Sequence, residues 1–328
     1  MNYEESRVAF TSLFAHEMSD VKMREFLVSM QLNENTSTES IAAAAEVMRA
    51  NAIALPIDEV TRERALDIVG TGGDKIGSFN ISSTTALLVA SCGATVAKHG
   101  SRSITSKSGS ADMFEALGVR LDLSIEQSAR LLEESGFTFM FAQNHHPAMA
   151  FIMPVRKSIP EKTIFNILGP LTNPAGVKKS MLGVFDKAFV PKMLEALKIN
   201  GATSAMVVSS EEGMDEISIS GVTYAAQLRD GITHEFIIDP QEYGIKKMPL
   251  KAIIGGDARE NAYILTQIFD ESATDAQRDI VLINTAASLM VDGLARDIQD
   301  GLEMAREALA NKRAKKKLKQ IIEVSQKL

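Results

Sequence analysis

Leu66-Asp67-Ile68-Val69-Gly70-Thr71-Gly72-Gly73-Asp74 is the stretch on which the fold turns. The strand-like run Leu66–Val69, apolar but for Asp67, passes straight into three glycines and an aspartate, and Ser78, Asn80, Ser82 and Ser83 follow as a hydroxyl-rich helix start. Strand, tight loop and helix N-terminus in that order are the layout of an α/β unit. Glycines let the backbone come close to a ligand, and unpaired amides at a helix N-terminus favour an anion, so the loop reads as a phosphate cradle. It is not the dinucleotide fingerprint, whose third glycine would fall at Lys75, nor a Walker A loop, since Gly77 is followed by Ser78. A plain tight turn is the competing reading.

Outward from this stretch the chain divides in two. On the C-terminal side, Ala94–Ala97, Phe137–Phe141 and Ala205–Val208 read as further strands, separated by helices at Asp112–Leu117, closed by Gly118, and Ser124–Ser135, closed by Gly136. The alternation predicts an α/β fold, a mainly parallel sheet flanked by helices. Tyr224–Ile238 reads as antiparallel strands around Arg229-Asp230-Gly231, and helices follow from about Asp257, with Gly255-Gly256-Asp257, which lacks the anion-binding context of the first Gly-Gly-Asp, as a helix start. The basic run from Lys312 to Lys319 reads as a solvated helix face. On the N-terminal side the period is helical throughout: Phe10, Leu13, Phe14, Met18 and Val21, then Met23, Phe26, Leu27 and Met30. Thr36 with Glu39 predicts a capping box for a helix over Ile41–Ala54 that Pro56 closes. The expectation is a smaller all-α N-terminal domain over 1–65 and an α/β domain over 66–328.

Composition narrows the chemistry. The 328 residues are enough for about two domains. One cysteine, Cys92, and five histidines offer no zinc-ligand spacing. Thirty-five basic against 42 acidic residues leave a net charge of −7, which argues against coating nucleic acid, and 5% aromatics with no tryptophan argue against a base-stacking surface. The uncharged stretch Ile76–Ala97 carries Asn80 and Ser82-Ser83-Thr84-Thr85, so it reads as polar and loop-forming, with no membrane role. The acidic N-terminus lacks a signal-peptide pattern, and a cytoplasmic location is expected.

Three further constellations carry chemistry. Lys98-His99-Gly100-Ser101-Arg102, followed by Ser103, Thr105, Ser106, Lys107, Ser108 and Ser110, concentrates cations and hydroxyls that suit a multiply anionic ligand, facing the glycine loop across a sheet crevice. Glu211, Glu212, Asp215 and Glu216 offer carboxylates beside a phosphate site, the usual way to hold Mg²⁺; a charged surface turn is the alternative. Between them lie His145-His146, read as structural or substrate-lining, and Arg156, whose guanidinium can pair with a carboxylate.

Together these segments resemble the anthranilate phosphoribosyltransferases of tryptophan biosynthesis, over nearly the whole chain. The resemblance rests on Gly70-Thr71-Gly72-Gly73-Asp74, Phe79-Asn80-Ile81-Ser82, Lys98-His99-Gly100, Lys107-Ser108-Gly109-Ser110-Ala111-Asp112, His146-Pro147-Ala148-Met149, Arg156-Lys157, Thr163-Ile164-Phe165-Asn166 through Asn173-Pro174, Asp215-Glu216, and Glu260-Asn261-Ala262. It implies 5-phospho-α-D-ribose 1-diphosphate as donor, bound by Gly70, Gly73, Asp74, Ser78, Asn80, Ile81, Ser82, Ser83, Lys98, His99, Gly100, Ser101, Arg102, Ser103, Ile104, Thr105, Ser106 and Ser110. It implies anthranilate at Gly70, Ser101, His146, Arg156 and Pro170, Mg²⁺ at Asp215 and Glu216 with Ser82, and electrostatic support from Lys98 and Lys107. It also implies a homodimer joined through the helical domain, which takes in part of about 157–180. Three positions depart from the family pattern: Ser101 where asparagine is usual, Ser209–Gly213 where a histidine-glycine pair is common, and Pro160-Glu161-Lys162 where glycine-x-arginine is common. A pyrimidine nucleoside phosphorylase of the same fold and a non-enzymatic nucleic-acid-binding relative are the alternatives.

Overall fold

The computed structural model describes residues 1–102 and 107–328. The chain opens with helices α1 (Tyr3–Phe14), α2 (Asp20–Ser29), α3 (Thr38–Ala50) and α4 (Glu59–Arg64). The cap of α3 differs from expectation: Ser37, not Thr36, accepts the hydrogen bond, from the Ser40 amide at 3.1 Å. Thr36 instead closes a local turn, its hydroxyl accepting from the Asn33 amide at 3.0 Å. The helix also stops at Ala50, short of Pro56.

The α/β part then runs β1 (Leu66–Gly70), α5 (Ile81–Ser91), β2 (Val96–Gly100), α6 (Ser110–Ala116), α7 (Ile125–Ser135), β3 (Phe137–Phe141), α8 (Ala142–His145), α9 (Met149–Lys157), α10 (Phe165–Leu168) and β4 (Lys179–Gly183). It continues with α11 (Val190–Ile199), β5 (Ser204–Ser210), β6 (Thr223–Arg229), β7 (Ile232–Ile238), α12 (Ala258–Phe269), α13 (Asp275–Asp292), α14 (Ile298–Ala310) and α15 (Arg313–Lys327). The seven strands form one sheet in the order β3-β2-β1-β4-β5-β6-β7. β1 to β5 pair in parallel, and β6 and β7 are antiparallel additions. The β6–β7 turn, Asp230-Gly231, has positive φ at both positions, as a tight two-residue hairpin demands.

β4 is absent from the sequence reading, although it is central. Lys179-Ser180-Met181-Leu182-Gly183 has no β-branched residue and begins with a lysine, so its strand character comes from pairing on both sides. Its insertion beside β1 reverses the strand order there. The chain moves from β1 out to β2 and β3, then returns to the other flank of β1, and this switch point is where open α/β sheets leave a crevice.

The helix start expected near Ser82 is borne out, and the rest of Ile81–Ser91, in a stretch read as loop-forming, continues it as helix α5, buried between the sheet and helices α13 and α15. Of its buried hydroxyls, Thr84 and Ser91 bond back to backbone carbonyls, whereas Ser83 and Thr85 find no partner among the described residues. One apolar cluster joins α5, α13, α14 and α15 to one face of the sheet. A second joins Phe10, Phe14, Leu27 and Ile41 to Ile164, Phe165 and Leu168, and onward to Leu182, Val207 and Leu228 on the other face. The N-terminal helices are therefore packed onto the sheet through α10 and α11. No helix among the described residues is long and apolar enough to cross a membrane.

Candidate active site

The last paired residues of β1 and β4 are Gly70 and Gly183, opposite each other at the mouth of the switch point. Asp215 is seated on both. A Cβ on Gly70 would stand 2.2 Å from Asp215 Oδ2, and one on Gly183 would stand 1.6 Å from the Asp215 backbone oxygen. Any side chain at either position would displace the aspartate.

Beyond Gly70 the loop turns through positive φ at Gly72, Gly73, Lys75 and Gly77, then enters α5. The Gly72 amide donates to Asp215 Oδ2 at 2.7 Å, and the Ser82 amide, in the first turn of α5, donates to Glu216 Oε1 at 3.0 Å. The acidic pair is thus tied to the glycine loop and to the helix start behind it. The second Gly-Gly-Asp is a helix start, as expected, because Asp257 caps α12. It also braces the anion loop: the Gly255 amide donates to the Gly77 carbonyl at 2.9 Å, and a Cβ on Gly255 would meet Phe79 Cα at 2.5 Å. Asn261 on α12 donates to Asn80 Oδ1 at 2.8 Å, which fixes the side chain that opens α5. In the sequence, Gly255 is marked by the repeated Gly-Gly-Asp and Asn261 by the Glu260-Asn261-Ala262 segment of the resemblance, but neither shows that it braces the loop.

Lys98 and His99 belong to β2 rather than to a loop beyond it, and Lys98 is only 1% exposed. Its ammonium donates to the Ile68 carbonyl and lies 3.5 Å from Ser82 Oγ. Burial pushes its pKa down, while Asp67, Glu216 and Asp215 pull it back. Asp67 beneath it is pushed up to about 6 by burial, against Lys98. Asp215 is raised to about 6 by burial and by Asp74, and Glu216 is raised well above the usual carboxylate range by burial and by Asp215. Both side chains keep part of their surface open to solvent.

Among the described residues no group of three or more His, Cys, Asp or Glu side chains is arranged to hold a metal ion. That excludes a closed cage of such ligands, not Mg²⁺ chemistry, because Mg²⁺ usually takes one or two carboxylates and completes its shell with water and substrate phosphate. Two crowded, proton-retaining carboxylates at the mouth of a phosphate-type loop fit that pattern, since a divalent cation would relieve their repulsion.

His146, after α8, is buried with its ring 5.1 Å from that of His99, and the Nε2 atoms of both lack hydrogen-bond partners. Burial, reinforced by neighbouring histidines, holds His99 down at about 3 and His146 at about 4, so both are neutral. Pro170 is buried in the short turn after α10. Arg156 on α9 has no carboxylate partner among the described residues; its guanidinium lies 5.9 Å over the Phe165 ring, and burial lowers its pKa.

Other expected residues are placed less directly. Ser78 forms an isolated bridge with Ile254, Ser83 is fully buried within α5, and Ser110 begins α6 next to Gly100. The Ser101 carbonyl accepts from Ala111, and Lys107 is exposed. Arg102 is already paired, with Asp112 at 2.7 Å and Glu115 at 2.9 Å, so its charge is met by acid within this structure. Ser103, Ile104, Thr105 and Ser106 lie outside the described residues.

A phosphate-type loop and an acidic pair at the switch point are what a sugar-phosphate transferase needs. In keeping with this, residues 62–315 match the family model described as glycosyl transferase family, a/b domain. An anthranilate phosphoribosyltransferase of Xanthobacter autotrophicus is 43% identical over 99% of this chain and 93% of its own length. The crystal structure of the Thermus thermophilus anthranilate phosphoribosyltransferase superposes with a TM-score of 0.92 at 36% identity, covering 99% of this chain and 96% of that one. The Saccharomyces cerevisiae enzyme, solved in complex with PRPP and Mg, gives 0.86 at 25% identity, covering 98% and 92%. The chain belongs to the anthranilate phosphoribosyltransferase family.

Proposed function

We propose that this chain transfers the phosphoribosyl group of 5-phospho-α-D-ribose 1-diphosphate to the amine of anthranilate, giving N-(5-phosphoribosyl)anthranilate and diphosphate in tryptophan biosynthesis. The observation that carries this reading is the seat of Asp215 across Gly70 and Gly183, which sets a carboxylate pair against the glycine loop at the switch point. The new bond joins the anthranilate nitrogen to ribose C1, the C1–oxygen bond to diphosphate breaks with its electron pair, and the nitrogen releases one proton. A neutral aromatic amine is nucleophilic already, so positioning and stabilisation of the leaving group do most of the work.

Donor binding falls to the loop from Gly70 to Asn80, the first turn of α5 and the β2 end. Asp215 and Glu216, with Ser82 in support, would hold Mg²⁺, which supplies positive charge at the departing diphosphate. Lys98 adds a buried positive charge at the base of the same crevice. Anthranilate meets Arg156 through its carboxylate, with His146, Pro170, Ser101 and Gly70 around its ring; neutral histidines suit an uncharged aromatic body.

We also propose a homodimer joined through the helical part, residues 1–65 with part of 157–180. Val8 on α1 and Val21 on α2 are 59% and 69% exposed, apolar side chains that a partner surface would cover.

Loss of anthranilate fluorescence on addition of donor and Mg²⁺ tests the reaction, with Arg156→Ala as its second arm. The variant is expected to raise KM for anthranilate by about tenfold and KM for the donor much less, as loss of a charged hydrogen bond requires. No fluorescence loss, together with phosphorolysis of thymidine, would favour the phosphorylase; an equal rise in both constants would remove Arg156 from the acceptor site.

A further inference from the structure

One cation at the crevice belongs to none of the groups assigned above. Lys162 lies between α9 and α10, and its ammonium donates to the Gly73 carbonyl at 3.2 Å, over the middle of the glycine loop. We propose that Lys162 binds the diphosphate end of the donor, reaching the loop from the helical side of the molecule. The proposal rests on the phosphoribosyl transfer proposed above.

The geometry singles it out in three ways. First, the charge is uncommitted: among the described residues no carboxylate lies within ion-pair distance of Lys162, whereas Arg102 holds two. Asp186, Asp74 and Asp215 act on it only at longer range, and burial with the nearby Lys75 depresses its pKa. An ammonium resting on a neutral carbonyl gains when a phosphate oxygen takes that place. Second, its reach is limited. Nζ sits 3.2 Å from the centre of the Phe185 ring, directly after the β4 end, so an aromatic platform confines the head group to the side facing the loop.

Third, the stem is anchored. The Lys162 carbonyl accepts from the Leu32 amide at 2.9 Å and the Ile164 amide donates to Met30 at 2.9 Å, with Gln31 bridged to Thr163. The backbone that carries the lysine is therefore laced to the end of α2, while the head group reaches a loop of the sheet. A diphosphate carries more negative charge than one divalent cation offsets, and Lys162 supplies charge at Gly73, where Lys98, held at Ile68 and Ser82, does not. A residue that only pinned the Gly73 carbonyl would account for the same bond in the absence of ligand, so the test must separate the two roles.

The test is calorimetric titration of inorganic diphosphate, at saturating Mg²⁺, into the full-length wild type, Lys162→Met and Lys162→Arg, alongside steady-state kinetics and melting curves. Lys162→Met is expected to weaken diphosphate binding about tenfold and to raise KM for the donor by a similar factor, with KM for anthranilate changed by less than about twofold. Lys162→Arg keeps the charge and is expected to restore binding to within about threefold. Unchanged diphosphate affinity in Lys162→Met, or a parallel rise in both KM values, would overturn the proposal. So would weakened binding that tracks a lowered melting temperature and that arginine does not restore. Should the wild type bind diphosphate yet leave anthranilate unconsumed, the transfer reaction falls while the binding difference still judges Lys162.

Discussion

Asp215 and Glu216, the proposed metal ligands, show what a buried carboxylate pair costs the fold. Each has its pKa raised in the folded chain, so above about pH 6 the folded state holds carboxylates that the unfolded chain ionises more easily. Without metal, the pair therefore works against folding at neutral pH and stops doing so as the pH falls. Neutral amides of the same shape keep the oxygens that accept from Gly72 and Ser82. Asp215→Asn combined with Glu216→Gln is expected to raise the metal-free melting temperature by roughly 2–4 °C. The same variant should lose the Mg²⁺-induced rise and most turnover; a Mg²⁺ response equal to that of the wild type would remove the pair from the metal site. His146 has the opposite sign. Its folded pKa near 4 lies below the ordinary value of about 6.5, so the unfolded chain takes the proton first and stability falls as the pH drops through that interval. By pH 5 the loss is about 2 kcal/mol, and in His146→Gln the acid-induced drop in melting temperature is expected to shrink accordingly. An identical drop in the variant would place the proton uptake elsewhere.

At the scale of elements, legibility follows local signal. β3 matches its expected bounds, Phe137–Phe141, because four large apolar residues and the β-branched Thr138, bounded by Gly136, leave little choice. α7 begins after Ser124, whose side chain accepts from the Gln127 amide, and the β6–β7 turn falls on Asp230-Gly231. The α3 cap went to Ser37 because its hydroxyl also meets Ser40 Oγ at 2.9 Å, an advantage that Thr36 lacks once it is engaged with Asn33. Ser37→Ala is expected to cost about 1 kcal/mol in chemical denaturation and Thr36→Ala less than half of that; the reverse order would return the cap to Thr36. β2 extends three residues beyond its expected end at Ala97, through Lys98 and His99. A lysine and a histidine look like loop residues until Asp67, Ile68 and Ser82 are seen to surround them, and those partners come from other elements.

For the molecule as a whole, the N-terminal helices reach the sheet through the second apolar cluster, yet Val8 and Val21 stay outside it. Sedimentation is expected to give twice the 35.6 kDa chain mass, and Val21→Asp to shift the population to monomer, because a carboxylate is poorly tolerated in an apolar contact. A monomeric wild type would refute the pairing. The class of fold, the glycine loop, the acidic pair and the family were all legible in the linear chain, because each is carried by residues adjacent in sequence whose chemistry does not depend on distant neighbours. Only the tertiary structure decided that β4 inserts beside β1, that Gly70 and Gly183 together seat Asp215, that Gly255 and Asn261 brace the loop, and that Lys162 hangs over it. Those contacts join segments from about 30 to 180 residues apart, and no local pattern specifies them; they follow from packing the whole chain around one sheet.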